Sequence, residues 1–237
     1  TNLELLGSGG IYTLTNTGNA ITTLAGNTGT VSFLENSGFA IGTVNTVGLT
    51  ASTSVTLNST GTVTQSNLIS TPSLLLLGTN GIYTLTNTSN AITTLAGNTG
   101  TISFLENSGF AIGAVSSTNG VTATTLTLSS TGTVTQAQAL TVTNLELLGT
   151  GGTYTLTNTG NAITTLAGNT GTVSFLENSG FDIGTVNTVG LTTTGNTTLS
   201  STGTVTQSQK VSAVGLELLG VNGVFTLTNT SNAITTL

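Results

Sequence analysis

Short stretches carrying Thr, Val, Ile and Leu alternate along this chain with stretches of Gly, Asn and Ser. Between Leu3 and Ser70 the apolar-bearing runs are LELL, IYTLTN, AITTLA, TVSFLE, FAIGTV, GLTAS, VTLNS, TVTQ and NLIS. They begin about every eight residues, the rhythm of strand and tight turn. β-Branched residues and Gly dominate and no 3.6-residue apolar stripe runs through them, so helix is disfavoured. Within the runs the alternation has a period of two. Glu4, Leu75, Glu146 and Glu217 stand at one position of the pattern while leucine stays on either side, so that position is expected to face out and its neighbours in. Leu68, Ala139 and Lys210 likewise vary beside Ile69, Leu140 and Val211, and Asp182 replaces Ala40 and Ala111 beside an unchanging Ile.

The pattern repeats. The segment at Thr15–Phe39 returns unchanged at Thr157–Phe181, returns at Thr86–Phe110 with Ser89 and Ile102 altered, and starts again at Thr228. The 237 residues therefore form one array of 71-residue units beginning near 1, 72, 143 and 214, the last incomplete within the chain. Evenly spaced units without insertions mark an array in which each unit stacks on its neighbours. The expected fold is all-β: a parallel β-helix, or solenoid, with about three coils per repeat starting near Thr62, Tyr83 and Phe110, four shorter coils being the alternative. The one proline, Pro72, is expected at a corner.

The unit resembles the β-helical repeats of filamentous-haemagglutinin-like exoproteins of two-partner secretion. The likeness is carried by LELLGSGGIYTLTNTGNAITTLAGNTG (Leu3–Gly29), FAIGTV (Phe39–Val44) and STGTVTQ (Ser59–Gln65), and it covers every unit. It implies a right-handed helix, export from a Gram-negative bacterium, a location at the cell surface or outside the cell, and a shaft that attaches or presents. It implies as partners the neighbouring repeats of a longer chain, further copies in a fibre, and a glycan or host surface.

Composition narrows the chemistry. Charged residues are 3% of the chain, seven acids against Lys210, for a net charge of −6. Nucleic acid and anionic membrane both recruit clustered Lys and Arg, so neither is an expected partner. His, Cys, Met and Trp are absent, which removes disulfides, thiolates and the commonest zinc ligands. No apolar run reaches the length of a membrane span. The acids are Glu4, Glu35, Glu106, Glu146, Glu177, Asp182 and Glu217. Copies one unit apart would lie about 14 Å from each other along the rod, farther than the roughly 5–9.5 Å of glycosidase carboxylate pairs. No catalytic, cofactor-binding or metal-ligating residue is assigned, no cofactor is implied, and the chain is expected not to be an enzyme.

Several positions remain open to a second reading. Strict alternation sends Glu35, Glu106 and Glu177 inward, where an unpaired carboxylate is costly. The expected resolution is a corner at which the carboxylate meets water or accepts backbone N–H groups; a cation or ligand site is the alternative. All ten aromatics fall at three unit positions, as core layers, corner plugs or a carbohydrate platform. Asn16, Asn36 and Asn58 are expected in turns. The Asn87, Asn58 and Asn196 sequons are taken as chance matches. Pairs such as Thr13/Thr15 and Thr62/Thr64 suggest an ice-binding rank, against which stands their scatter over several strands. The stretches Asn45–Ser54 and Ser66–Thr71 differ most between units and are where ligand contacts are expected.

Overall fold

A computed structural model describes all residues from Thr1 to Leu237. It contains no helix, so none is long and apolar enough to cross a membrane. The chain winds as a β-solenoid of about 11 turns. Between turns every strand pairing is parallel; antiparallel pairing is confined to small hairpin loops such as Ala114–Val115 with Thr118–Asn119. Successive parallel strands lie about 4.8 Å apart, which gives a rod of about 50 Å.

The register fixes the turn. Gly38 pairs with Thr62, and the ladder continues through Ile82, Thr101, Thr125, Asn144, Thr165, Asp182 and Thr206. Eight steps carry the ladder from Gly38 to Thr206, so a turn consumes on average about 21 residues, near the lower end of the range for solenoid repeats. Single steps are uneven: the interval from Gly38 to Thr62 is among the longest, and that from Thr165 to Asp182 is the shortest. A 71-residue unit therefore spans about 3.4 turns, between the three coils and the four that the spacing of runs suggested. The same side chain in the next unit falls on a different ladder: Gly109, the counterpart of Gly38, stacks on Thr133, Thr153 and Thr172. Corner length causes this. Some corners consume one or two residues and others a protruding loop, so turns differ in length even though the units do not.

The units are also not free of insertions. The loop at residues 42–48 reads GTVNTVG, and its counterpart at 113–120 reads GAVSSTNG, one residue longer. Pairing then shifts at the bulge between Thr28 and Thr30 in the first unit, whereas Thr122 to Thr125 pairs in step with Asn98 to Thr101 in the second. The strand gives back the residue that the loop gained, and the spacing of the units survives.

The inward positions are the expected ones. Leu5, Leu74, Leu76, Ile69, Leu140 and Val211 are buried in one continuous core, while Lys210 is exposed. β-Branched and aliphatic side chains suit a pleated sheet buried on one face. Phe33 and Phe39 meet edge to face at 5.1 Å, as do Phe104 with Phe110 and Phe175 with Phe181 at 5.3 Å. Buried Tyr83 donates its hydroxyl to the carbonyls of Leu57 and Leu77, and Tyr154 repeats this with Leu128 and Leu148. Burial pushes both phenols well above their ordinary pKa. The aromatics are thus core layers, and no carbohydrate platform forms from them. Pro72 lies exposed between Thr71 and Ser73, where the pairing with the preceding turn shifts register, which is the corner expected for it.

Candidate functional site

The polar side chains that the core encloses are the places to look for chemistry. At Glu35 the strand Thr23–Leu34 has just ended. The carboxylate is buried and accepts from the Ser37 backbone N–H at 3.0 Å, the Ser37 hydroxyl, and the Gly38 N–H at 2.6 Å. Glu106 with Ser108 and Gly109, and Glu177 with Ser179 and Gly180, repeat the arrangement. Gly is required here: φ is +100° at Gly38 and +103° at Gly109, and a Cβ would run into the carbonyl of Thr62 or Thr133. Of the expected outcomes, then, the carboxylate accepts backbone N–H groups rather than facing water. Three donors on one carboxylate leave it as a corner fastener.

Position 4 is a correction. It points away from the core, as alternation requires, but in three units it is covered. The loop at residues 43–47, closed by the Thr43 and Val47 bridge, folds back over the sheet. Asn45 donates its N–H at 3.2 Å and its Nδ2 at 2.7 Å to Glu4, and the Thr46 N–H donates at 2.5 Å. Glu146 is buried and receives the same donors from Asn187, at 3.2 and 2.7 Å, and from Thr188, at 2.7 Å, with the Thr127 hydroxyl at 2.9 Å. Donors from Thr46 and Asn45 hold the Glu4 carboxyl below its ordinary pKa. Burial pushes the Glu146 carboxyl up, but the hydrogen bonds from Asn187, Thr127 and Thr188 outweigh it, and the net displacement is again downward. In the second unit Leu75 occupies the position and packs with Ala96 and Val115 of the loop. Asn45 and Thr46, at the start of the stretch Asn45–Ser54 where ligand contacts were expected, are thus engaged with the chain's own strand.

The other expected contact stretch, Ser66–Thr71, turns a corner fixed by a side chain that hydrophobic alternation does not mark. Buried Asn90 accepts from the Ile69 N–H at 2.9 Å and donates Nδ2 to the carbonyls of Leu85 and Leu105. Gln65 bonds both its amide and its carbonyl end to the same carboxamide. Gln136 with Asn161 and Gln207 with Asn232 repeat the pair. The signal available in the sequence is an unvarying Gln followed at a fixed distance by an unvarying Asn. Asn16 and its counterpart Asn87 do cap turns, accepting from the N–H of Gly18 and Ser89.

Asp182 is half-buried on the outer face and accepts from the hydroxyls of Thr206 and Ser208. No three acidic residues come together. A hollow of about 820 Å³ is an open dish along the final turns lined by Leu216, Leu218 and Leu237 with Glu217 at its side.

The Thr pairs singled out from the sequence stay scattered, Thr62 lying against Gly38 and Ile82 and Thr64 against Ala40, but other Thr positions do stack. Thr133, Thr153 and Thr172 form one column, and Thr155, Ser174 and Thr198 form a second beside it. The preceding turns carry the same patch as Thr62, Ile82, Thr101 and Thr125 beside Thr84, Ser103 and Thr127. Because counterparts occupy different ladders, each patch lasts only a few turns before the next begins elsewhere around the rod, and no single face carries Thr from end to end. An end-to-end ice-binding rank is therefore not formed.

The class these features define is a sparsely charged parallel β-solenoid fastened at its corners by buried polar side chains. Comparison with protein-family models, curated proteins and solved structures finds no match.

Proposed function

We propose that this chain is a length of shaft from a large exported bacterial surface or extracellular-fibre protein, a structural and adhesive element without enzymatic activity. The observation that carries the reading is that its buried polar groups, the Thr188 hydroxyl excepted, are engaged internally: Glu35, Glu146 and Asn90 each bond to the corner or loop beside them. Each turn bonds to the turns above and below, so stability accumulates by nearest-neighbour terms. A single Lys and no Arg give trypsin-like proteases almost nothing to cut, which suits an extracellular part. The resemblance to filamentous-haemagglutinin-like repeats supports export and a surface location. The expected partners are neighbouring repeats of the same longer chain and further copies in a fibre.

The test is length. Arrays carrying one, two or three additional units should lengthen by about 16 Å per unit, at about 4.8 Å per turn, in negative-stain images. Rods that stop lengthening, or collapse into compact bodies, would overturn the shaft.

The short hydroxyl patches favour a second reading, a module recognising glycan or host protein through its outer face. Stacked Thr and Ser columns present ordered donors and acceptors without charge. Binding to immobilised glycans that is lost on replacing Thr153 and Thr155 with Val, with the rod intact, would select this reading.

A further inference from the structure

The loops at residues 43–47 and 185–189 share one sequence, TVNTV, and the loop at 114–119 differs from both together with the strand residue it covers. Where the loop offers two successive N–H groups and a carboxamide, the strand offers Glu: Glu4 under Asn45 and Thr46, Glu146 under Asn187 and Thr188. Where the loop offers Val115, the strand offers Leu75. Contact runs over 41 or 42 residues of sequence, across two turns of the solenoid. Beneath the loops the sheet's outer face carries Ala25, Ala96 and Ala167, all buried.

We infer that these are clasps of two kinds, and that the two Glu clasps are acid-released flaps while the Leu75 clasp between them is not. A protonated carboxyl keeps one acceptor oxygen but puts a hydroxyl donor where an N–H or Nδ2 donor already points, so the three-donor arrangement cannot survive protonation intact. Both carboxyls lie below their ordinary range when clasped. A lowered folded pKa means the clasp contributes fully above the unfolded value of about 4.5 and is lost as pH falls through the folded one. Leu75, Ala96 and Val115 have nothing to titrate. Few other ionisable groups stand near the clasps. The strands that flank Glu4 and Glu146, Thr23–Leu34, Val121–Ser129 and Ala162–Leu176, carry no Asp, Glu or Lys, and nor do the loops. In the first unit the amino terminus at Thr1 bonds to Thr22. In the third unit Asp182 and Lys210 stand at the base of the loop, where the first unit has Ala40 and Leu68. Opening would bare the alanine floor along two of the three clasped stretches.

The test is residue-resolved amide exchange, corrected for intrinsic rates, at pH 7 and pH 3. Protection of Asn45, Thr46, Asn187 and Thr188 should fall by about tenfold or more, the scale of a local opening, while Val115 and Thr118 hold theirs. Equal loss in all three loops, or in none, overturns the inference. In E146Q the loop at 185–189 should already be open at pH 7 while the loop at 43–47 stays closed. A Gln variant as protected at pH 7 as the parent also overturns it, and this arm needs no acid.

Discussion

Glu106 sits in the interior of an almost uncharged protein with no cation beside it. It is tolerated because Ser108 supplies an N–H and a hydroxyl, and Gly109 a second N–H, to the two carboxylate oxygens. Replacing it by Gln would turn one acceptor into a donor facing a donor. The cost should be about 1–3 kcal/mol, that of an unsatisfied buried group, read as a lower denaturation midpoint. Gly109→Ala should cost more than about 1 kcal/mol, because φ of +103° and the Thr133 carbonyl both exclude a methyl group. Glu217→Gln is the control: that side chain is exposed and bonds only to the Thr198 hydroxyl, so the midpoint should not move.

At the scale of the element, a corner and its stacking partner form one unit of stability. Asn161 accepts from the Leu140 N–H and donates to the carbonyls of Leu156 and Leu176, so one carboxamide ties three turns together. Asn161→Ala leaves those groups buried and unpaired and should destabilise by about 2–4 kcal/mol, more than one lost hydrogen bond. Repeats communicate only with neighbours, so amide exchange should rise around residues 136–161 first and leave residues 1–40 protected. A uniform rise along the whole chain would contradict the nearest-neighbour picture. The Gln136 partner gives a graded comparison, since its loss removes three bonds, two with Asn161 and one from the Asn158 N–H, and leaves the Leu140 N–H satisfied.

For the whole molecule, the scarcity of charge sets the response to solvent. Seven acids and one Lys spread over about 11 turns leave few charge pairs within the roughly 8 Å reach of electrostatics at physiological salt. The melting temperature between low and physiological sodium chloride should therefore move by less than about 2 °C, since screening has little to remove. A strong salt dependence would mean that charges carry the stability. Hydroxyl columns that change ladder from unit to unit also distribute any one surface chemistry around the rod, giving it no single preferred side.

How much of this could be read from the chain divides along the same scales. The alternation of Leu3, Glu4 and Leu5 with the constancy of Ile69, Leu140 and Val211 determined which side chains face the core, because a strand's two-residue period is local and every unit repeats it. The parallel stacking followed as well, since units that cannot bury an apolar face alone must stack. The Glu35 corner was legible as a conflict, an acid where alternation pointed inward. Tertiary structure alone decided the length of a turn, because that depends on how much chain each corner consumes before the next strand regains its ladder. From that one quantity follow the misfit between turn and repeat unit, the short Thr patches, and the pairing of Glu4 with Asn45 or Leu75 with Val115. Those contacts join residues far apart in sequence, and local composition holds no record of which turn will lie beside which.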